Sequence, residues 1–394
     1  MKNKYLLVLL DQLISSGSNF LLAIYYARLL GPSDFGKYSL ILYLVFLVVG
    51  VQQAFIYTTM NTDSHQFKVN KISYDSLILL KYIVMIGFII VLMGGISLFD
   101  ILQIGVLVII FMILYTFSDL IKKIYLANFE YSKLLLHDIT FYIVLLNLIM
   151  IVGVSDIEDI FYLNIISLTF PITFYVIFGK LKINGSRRKV KLLFRNELHR
   201  VKHLILATVL LWFNSRIGFY VLGFFSGNKV VGILSAYMSI IGIFNPVMSS
   251  LDNYLLPNAS KKYKICGQKE VILWLDKHIY PILFLSLLIT VLIGLYSKHI
   301  VLFILGNEYL EYHYLLTVFL FINVFLIASK KYIYLINILK QQVFLTQVNL
   351  LNFMIIAILI VPTTYYFGLN GYAVLMLFTA SVYFFYLKRS QRSQ

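Results

Sequence analysis

Twelve apolar segments, each long enough to cross a bilayer, divide this chain of 394 residues. A spanning helix needs about 20 residues to cross roughly 30 Å of hydrocarbon. The predicted spans are 5–30, 36–60, 76–98, 101–127, 134–153, 159–179, 202–225, 230–256, 279–297, 312–336, 343–362 and 369–387. With 60% hydrophobic and only 13% charged residues, no aqueous core could hide this apolar surface. The sequence therefore predicts an all-α membrane protein with 12 transmembrane helices.

Positive charge collects in every second gap between these segments. Of the 33 Lys and Arg residues, 28 fall on one side, three fall on the other, and Arg28 and Arg216 lie in or at the edge of a span. The positive-inside rule then places both termini in the cytoplasm. The net charge of +16 faces anionic headgroups in this topology. No basic stretch forms a domain of its own, so we expect no nucleic-acid partner.

The basic stretch 181–201 separates two sets of six spans, and we predict it to be a cytoplasmic linker. The flanking regions, 1–180 and 202–394, are then two six-helix bundles around a central cavity. Six spans is an even number, so both bundles enter the membrane from the same side as a parallel repeat. A trace of the repeat survives, since Gly36 and Ser39 return as Gly232 and Ser235.

The outer loops are short and leave no room for a catalytic domain. Cys266 is the only cysteine, which excludes an intrachain disulfide, and the seven histidines lack metal-ligand spacing. We therefore predict no catalytic residue, no metal site and no cofactor.

Arg216 is the strongest candidate for a functional residue. It lies roughly 21 Å along its span from Lys202 and roughly 13 Å from Phe225 at 1.5 Å per residue. A lipid-facing arginine at such depth costs at least about 2.5 kcal/mol, so it should face protein or a wet cavity. Its planar fork of donors suits phosphate; the structural alternative is a bond to a helix carbonyl or an acid. The adjacent Asn214 joins it as a candidate substrate contact.

Weaker candidates lie elsewhere. Arg28 and Asn19 in the first span are candidate substrate contacts, although Arg28 is close enough to the outer surface to snorkel. Asp11, with small polar residues following it, and Asp252, near a cytoplasmic helix end, are candidates for coupling or gating. Pro246 interrupts the eighth span and is a candidate hinge.

Residues 27–40, ARLLGPSDFGKYSL, resemble a pattern typical of Wzx-type O-antigen and polysaccharide flippases, in the larger superfamily that includes multidrug and toxin exporters. The second half carries a similar feature, with Ser215-Arg216 followed by Gly227 and Val231-Gly232-Ile233. That family often has Asp-Arg where this chain has Ser215-Arg216.

The resemblance implies a flippase in the bacterial inner membrane. Its substrate would be an undecaprenyl-pyrophosphate-linked oligosaccharide, an O-antigen or similar surface polysaccharide unit, and its partners would be membrane lipids and polysaccharide assembly proteins. Two alternatives stay open. A drug or cation antiporter of the same fold predicts a deep acidic cavity, and a membrane polysaccharide polymerase predicts a sizeable outer loop.

Overall fold

The computed structural model describes residues 2–53, 105–128, 130–178, 187–339 and 341–390. Its α-helices are α1 (Lys2–Gln52), α2 (Gly105–Ala127), α3 (Tyr131–Val152), α4 (Ile157–Phe178), α5 (Arg187–Ser226), α6 (Asn228–Ile241), α7 (Asn245–Leu295), α8 (Ser297–Ile304), α9 (Leu315–Ile338) and α10 (Gln342–Ser390). Two 3₁₀ helices, Gly242–Phe244 and Asn307–Tyr312, complete the described elements. The predicted third span, 76–98, and the start of the linker, 181–186, lie outside the described residues.

Three long helices change direction at a glycine. Gly31 in α1, Gly267 in α7 and Gly368 in α10 have φ of 69°, 80° and 54°, a region that favours glycine because it has no Cβ. Gly31 and Gly368 fall at breaks that the hydropathy pattern predicted. Helices α1 and α10 therefore each carry two predicted spans, whereas α7 carries the end of the eighth and most of the ninth, with Gly267 in the basic gap between them.

The described helices confirm an all-α, multi-pass membrane protein. Eight of the described helical segments are apolar and long enough to cross a bilayer. No strand occurs in residues 2–53, 105–128, 130–178, 187–339 or 341–390. The count of 12 spans and their division into two bundles stay predictions.

The chain divides into two compact units. The first comprises Met1–Ser18 and Leu40–Trp212, and the second comprises Asn19–Ser39 and Phe213–Gln394. Helices α1 and α5 contribute to both units, because each changes unit along its length. The predicted domains, 1–180, 181–201 and 202–394, remain a prediction.

Within the first unit, α4 packs against α2 and α3. Aromatic side chains fill this contact: the rings of Phe111 and Phe161 lie edge to face at 5.2 Å, and those of Tyr125 and Tyr175 at 5.6 Å. Such edge-to-face pairs add stability beyond the area that they bury. The packing holds α2 and α3 as a fixed pair, which matters for the polar cluster described below.

Within the second unit, α9 packs against both α7 and α10. The core between α7 and α9 consists of buried apolar side chains, namely Leu251, Leu255, Ala259, Val271, Leu275, Ile279, Tyr334 and Leu335. Ion pairs join the same two helices: Lys330 contacts Asp252, and Lys331 contacts Asp276 at 2.5 Å.

The predicted hinge coincides with a helix break. Helix α6 ends at Ile241, the 3₁₀ helix Gly242–Phe244 follows, and α7 begins at Asn245, one residue before Pro246. Proline has no N–H to donate to the carbonyl four residues earlier, so a regular α-helix cannot run unchanged through this point. The backbone explains the break; the hinge motion stays a prediction.

A short 3₁₀ helix, Asn307–Tyr312, ties several elements of the second unit together. The hydroxyl of Tyr309 donates to the carbonyl of Ala27 at 2.6 Å, and the hydroxyl of Tyr237 donates to the carbonyl of Tyr309 at 2.5 Å. Tyr309 is 1% exposed. Nearby, Lys229 pairs with Glu311 at 2.9 Å, and this hydrogen bond lowers the pKa of the Glu311 carboxyl.

Candidate functional site

A buried polar cluster in the first unit is centred on Asp138 of α3. Lys122 of α2 contacts Asp138 Oδ2 at 2.7 Å, and His137 Nδ1 lies 3.2 Å from Asp138 Oδ1. The Asp138 and His137 side chains are each 3% exposed, whereas that of Lys122 is 28% exposed. The packing of α2 and α3 against α4 holds these groups together.

The imidazole of His137 connects the cluster to α2. Its Nε2 lies 3.2 Å from the hydroxyl of Ser118. When Nδ1–H donates to Asp138 and Nε2 accepts from Ser118, a neutral imidazole satisfies both ring nitrogens. This arrangement orients the Asp138 carboxylate, since one oxygen faces the imidazole and the other faces Lys122.

Asp11 of α1 is the second acid of the cluster. It is 9% exposed, and Asp138 and Lys122 are the charged groups that act on it electrostatically. Its Oδ1 is buried without a hydrogen-bond partner among the described residues. One turn further along α1, the hydroxyl of Tyr142 donates to the Ser15 carbonyl at 3.3 Å and fixes α1 against α3.

The charges of this cluster do not balance. Two carboxylates, those of Asp11 and Asp138, face one ammonium group, that of Lys122. An uncompensated charge away from water is expensive, so such a pair tends to share a proton or hold a cation. The cluster is therefore chemically suited to take up one positive charge.

A second group of polar residues lies in the membrane-crossing part of the second unit. Arg216 of α5 lies with its guanidinium carbon 5.7 Å from the centre of the Phe219 ring. Such an arrangement attracts the cation to the ring face. The neighbouring Gly218 contacts the ring of Tyr372 so closely that a Cβ there would overlap it. This close approach fixes α5 against α10 beside Arg216.

Asparagines of α5 and α10 meet elsewhere on the same pair of helices. The side chain of Asn214 donates to the backbone carbonyl of Asn349 at 3.5 Å. The amide oxygens of Asn214 and Asn352 are both buried and have no hydrogen-bond partner among the described residues. Unsatisfied buried acceptors are uncommon and are typical of sites that pair with a ligand or with water.

Arg28 has a structural contact that the sequence did not predict. Its guanidinium donates to the carbonyl of Phe303, in the last turn of α8. The last carbonyls of a helix lack partners within the helix, and an arginine can satisfy them. Asn19, by contrast, is exposed, and no side-chain hydrogen bond involves it in the described part of the chain.

Asp252 is held by two side chains of α9. Lys330 contacts both of its oxygens, at 2.8 and 2.7 Å, and the Tyr334 hydroxyl donates to it at 2.7 Å. Arg216 is not among these partners in the described part of the chain. The role of Asp252 in coupling or gating stays a prediction. Its observed contacts join α7 to α9.

Sequence reasoning missed Asp138, His137 and the two asparagines of α10. The carboxylate that contacts Lys122 at 2.7 Å is that of Asp138, on the next helix. A usable signal was present: Asn349 and Asn352 recur three residues apart on one face of an apolar span. Asp138 gave a weaker signal, because it stands about two turns inside a helix that begins beside basic residues.

Known structures share this fold. A multidrug resistance MATE family transporter of the MOP superfamily, in its inward-facing conformation, matches with a TM-score of 0.70 and 12% identity, covering 99% of this chain and 98% of that one. The lipid II flippase MurJ, in an inward closed conformation, matches with a TM-score of 0.70 and 13% identity, covering 100% and 88%.

An outward-facing MATE family transporter matches with a TM-score of 0.54 and 14% identity, covering 98% of this chain and 93% of that one. No protein-family model matches the chain, and no curated protein matches it. The likeness shows that this chain has the fold of MOP-superfamily transporters and flippases.

Proposed function

We propose that this protein is a flippase that moves a lipid-pyrophosphate-linked oligosaccharide across the bacterial inner membrane, with both termini in the cytoplasm. The observation that carries the proposal is Arg216 within a membrane-crossing helix; the same unit also holds buried, unsatisfied amide oxygens on Asn214 and Asn352. A guanidinium fork suits pyrophosphate, and neutral amides suit sugar hydroxyls. The fold shared with the lipid II flippase MurJ and the Wzx-like residues 27–40 support the same substrate class.

The membrane potential assists this direction of transport. Moving one negative charge outward from a negative interior is favoured by about 2.3 kcal/mol per 100 mV. An ion gradient is a second source of energy, and the buried cluster of Asp11 and Asp138 can use it because the cluster can take up one proton or monovalent cation. In the proposed cycle, uptake and release of that charge at Asp11 couple an ion gradient to substrate movement.

A drug or cation antiporter is the second candidate, because the MATE family transporter matches with the same TM-score of 0.70. An antiporter for cationic drugs needs acidic groups that a drug can reach. The two acids of the buried cluster are instead small and buried, and Asp138 is already paired with Lys122 and His137. That arrangement suits a small coupling ion better than a bulky cation.

Complementation tests the proposed substrate class. A strain that lacks its own polysaccharide flippase should regain surface polysaccharide when it expresses this protein with a matching oligosaccharide. Arg216→Ala should abolish this rescue at unchanged protein level, and Arg216→Lys should restore it only in part because a point charge lacks the fork.

The control for Arg216 is Lys298→Ala, which removes an exposed positive charge from α8 of the same unit and should leave the rescue unchanged. Normal polysaccharide with Arg216→Ala would overturn the role of Arg216. Failure to complement, together with export of cationic dyes, would favour the antiporter.

A further inference from the structure

An apolar groove with one arginine lies in the second unit, between α1 and α8. Its walls are Phe20 and Ile24 on α1 and residues 302–304 on α8, and Arg28 stands at one end. The groove encloses a volume of about 600 Å³. Among the residues that the structure describes, Arg28 is the only charged side chain that lines it.

Arg28 is anchored, yet most of its hydrogen-bonding capacity is unused. It donates to the carbonyl of Phe303 and makes no other hydrogen bond among the described residues. No described carboxylate lies within 4.0 Å of it. A guanidinium has five N–H donors in a rigid fork, so several remain for an anion. The hydrogen bond to α8 restricts the rotation of the Arg28 side chain before any ligand binds. The remaining N–H donors of the guanidinium are therefore held at the groove.

The groove has the dimensions and polarity of an amphiphile site. Phe20, Ile24 and Arg28 follow one another at intervals of four residues and share one face of α1, which places an apolar strip of about 6 Å beside the charge. On the opposite wall, the side chains of Leu302 and Phe303 are 41% and 82% exposed. The groove is therefore open along one side, where a lipid could enter laterally.

We propose that this groove binds an anionic phospholipid, with its phosphate on Arg28 and part of an acyl chain along Ile24 and Phe20. Arg28 lies three residues before Gly31, at the end of the span that the charge distribution places outside, so the lipid belongs to the outer leaflet. The inference rests on the membrane location of the chain and is independent of the proposed transport substrate. A phospholipid fits better than a substrate chain because the groove is shallow, open and beside a helix end.

The first test measures lipid binding to the purified full-length protein by native mass spectrometry and by thermal melting in detergent. Phosphatidylglycerol should bind in preference to phosphatidylethanolamine and should raise the melting temperature more. Arg28→Gln should weaken phosphatidylglycerol binding on the order of tenfold, as expected for loss of a charge-assisted hydrogen bond. Arg28→Lys should retain part of the preference.

Lys298→Gln is the matched control. Lys298 is exposed on the same helix α8 but does not line the groove, so removing its charge should leave the preference intact. Equal binding of the two lipids by the unmodified protein, or equal loss in Lys298→Gln and Arg28→Gln, would overturn the proposal. Tighter binding of a polyprenyl phosphate than of phosphatidylglycerol would also overturn it, since the groove would then serve the substrate.

A second test leaves Arg28 unchanged and so does not depend on the folding of its variants. Phe303→Trp places a fluorescent ring on the exposed wall of the groove. In nanodiscs, phosphatidylglycerol with brominated acyl chains should quench this tryptophan more than brominated phosphatidylethanolamine at the same mole fraction. Equal quenching by the two lipids would contradict a specific site and leave Arg28 with only its role at the end of α8.

Discussion

Gly36 and Gly232 form a reciprocal backbone contact within the second unit. A Cβ on Gly36 would overlap the carbonyl of Asn228, and a Cβ on Gly232 would overlap the carbonyl of Pro32. The same sequence offset relates Pro32 to Asn228, Gly36 to Gly232 and Ser39 to Ser235. Both serines are buried. A contact in which each partner repeats the other's role is what a local two-fold relation produces.

The turns before this contact are also alike. Gly31 has φ 69° and ψ 172°, and Gly227 has φ 84° and ψ 167°. Each glycine precedes the helical segment that carries one member of the contact pair. The parallel repeat that the sequence predicted therefore has a local counterpart in the second unit.

Substituting either contact glycine should destabilise the protein. Gly36→Ala and Gly232→Ala should each lower the free energy of unfolding by about 1–3 kcal/mol, the usual cost of overpacking, because backbone atoms cannot move aside as a side chain could. Gly17→Ala is the control, since a Cβ at Gly17 meets nothing within 4 Å. Thermal melting in detergent measures the difference; equal melting temperatures for all three variants would contradict the close contact.

Breaking the buried pair at Asp138 should cost more than breaking an exposed pair on the same helix. Asp138→Asn leaves Lys122 without its carboxylate, which costs about 3–5 kcal/mol for a buried pair. Glu130→Gln breaks the exposed Lys133–Glu130 pair and should cost less than about 1 kcal/mol.

The double variant Asp138→Asn with Lys122→Met should regain part of the stability lost on changing Asp138 alone, because the Lys122 ammonium group is no longer left without the carboxylate that it contacts. Additive losses in this double-mutant cycle would show that the two side chains are not coupled.

Asp11→Asn should separate coupling from stability. It removes one of two neighbouring buried carboxylates, so the protein should remain at least as stable as the unmodified chain. Transport into vesicles should nevertheless lose its dependence on an imposed proton or sodium gradient. Ser15→Ala, one turn along α1, is the control that should keep the dependence; a gradient response retained by Asp11→Asn would remove Asp11 from the coupling role.

Tyr309→Phe should destabilise the second unit without altering its charge. The change removes the hydrogen bond to Ala27 and leaves a buried carbonyl unpaired, at a cost of about 1–3 kcal/mol. Lys229→Gln breaks the exposed pair with Glu311 and should cost less than about 1 kcal/mol.

The Lys229–Glu311 contribution has a defined pH dependence. Because the pKa of Glu311 is lowered in the folded protein, the small stabilisation is present at neutral pH and is lost as the pH falls through that pKa. Melting of Tyr309→Phe and Lys229→Gln at pH 7 and pH 4 distinguishes the two contacts. A larger loss in Lys229→Gln than in Tyr309→Phe at pH 7 would contradict their ranking.

Hydropathy and charge along the chain determined the architecture and its predicted sidedness. Apolar runs of bilayer length specify helices because the backbone has no water to bond in hydrocarbon. The same reasoning placed breaks at Gly31 and Gly368, and it singled out Arg216 by its depth alone. These properties are local, so they can be read from one segment at a time.

Tertiary structure alone decided which polar groups meet. The sequence did not single out Asp138, because its partners, Lys122 and Asp11, lie on other helices. The pattern of one helix carries no information about how the neighbouring helices are rotated. Arg28 looked like a residue that snorkels to the surface until α8 placed a carbonyl beside it. Polar contacts inside a membrane protein depend on which helices pair. Close packing, such as that between Gly36 and Gly232, fixes the pairing, and the sequence of a single span does not contain this information.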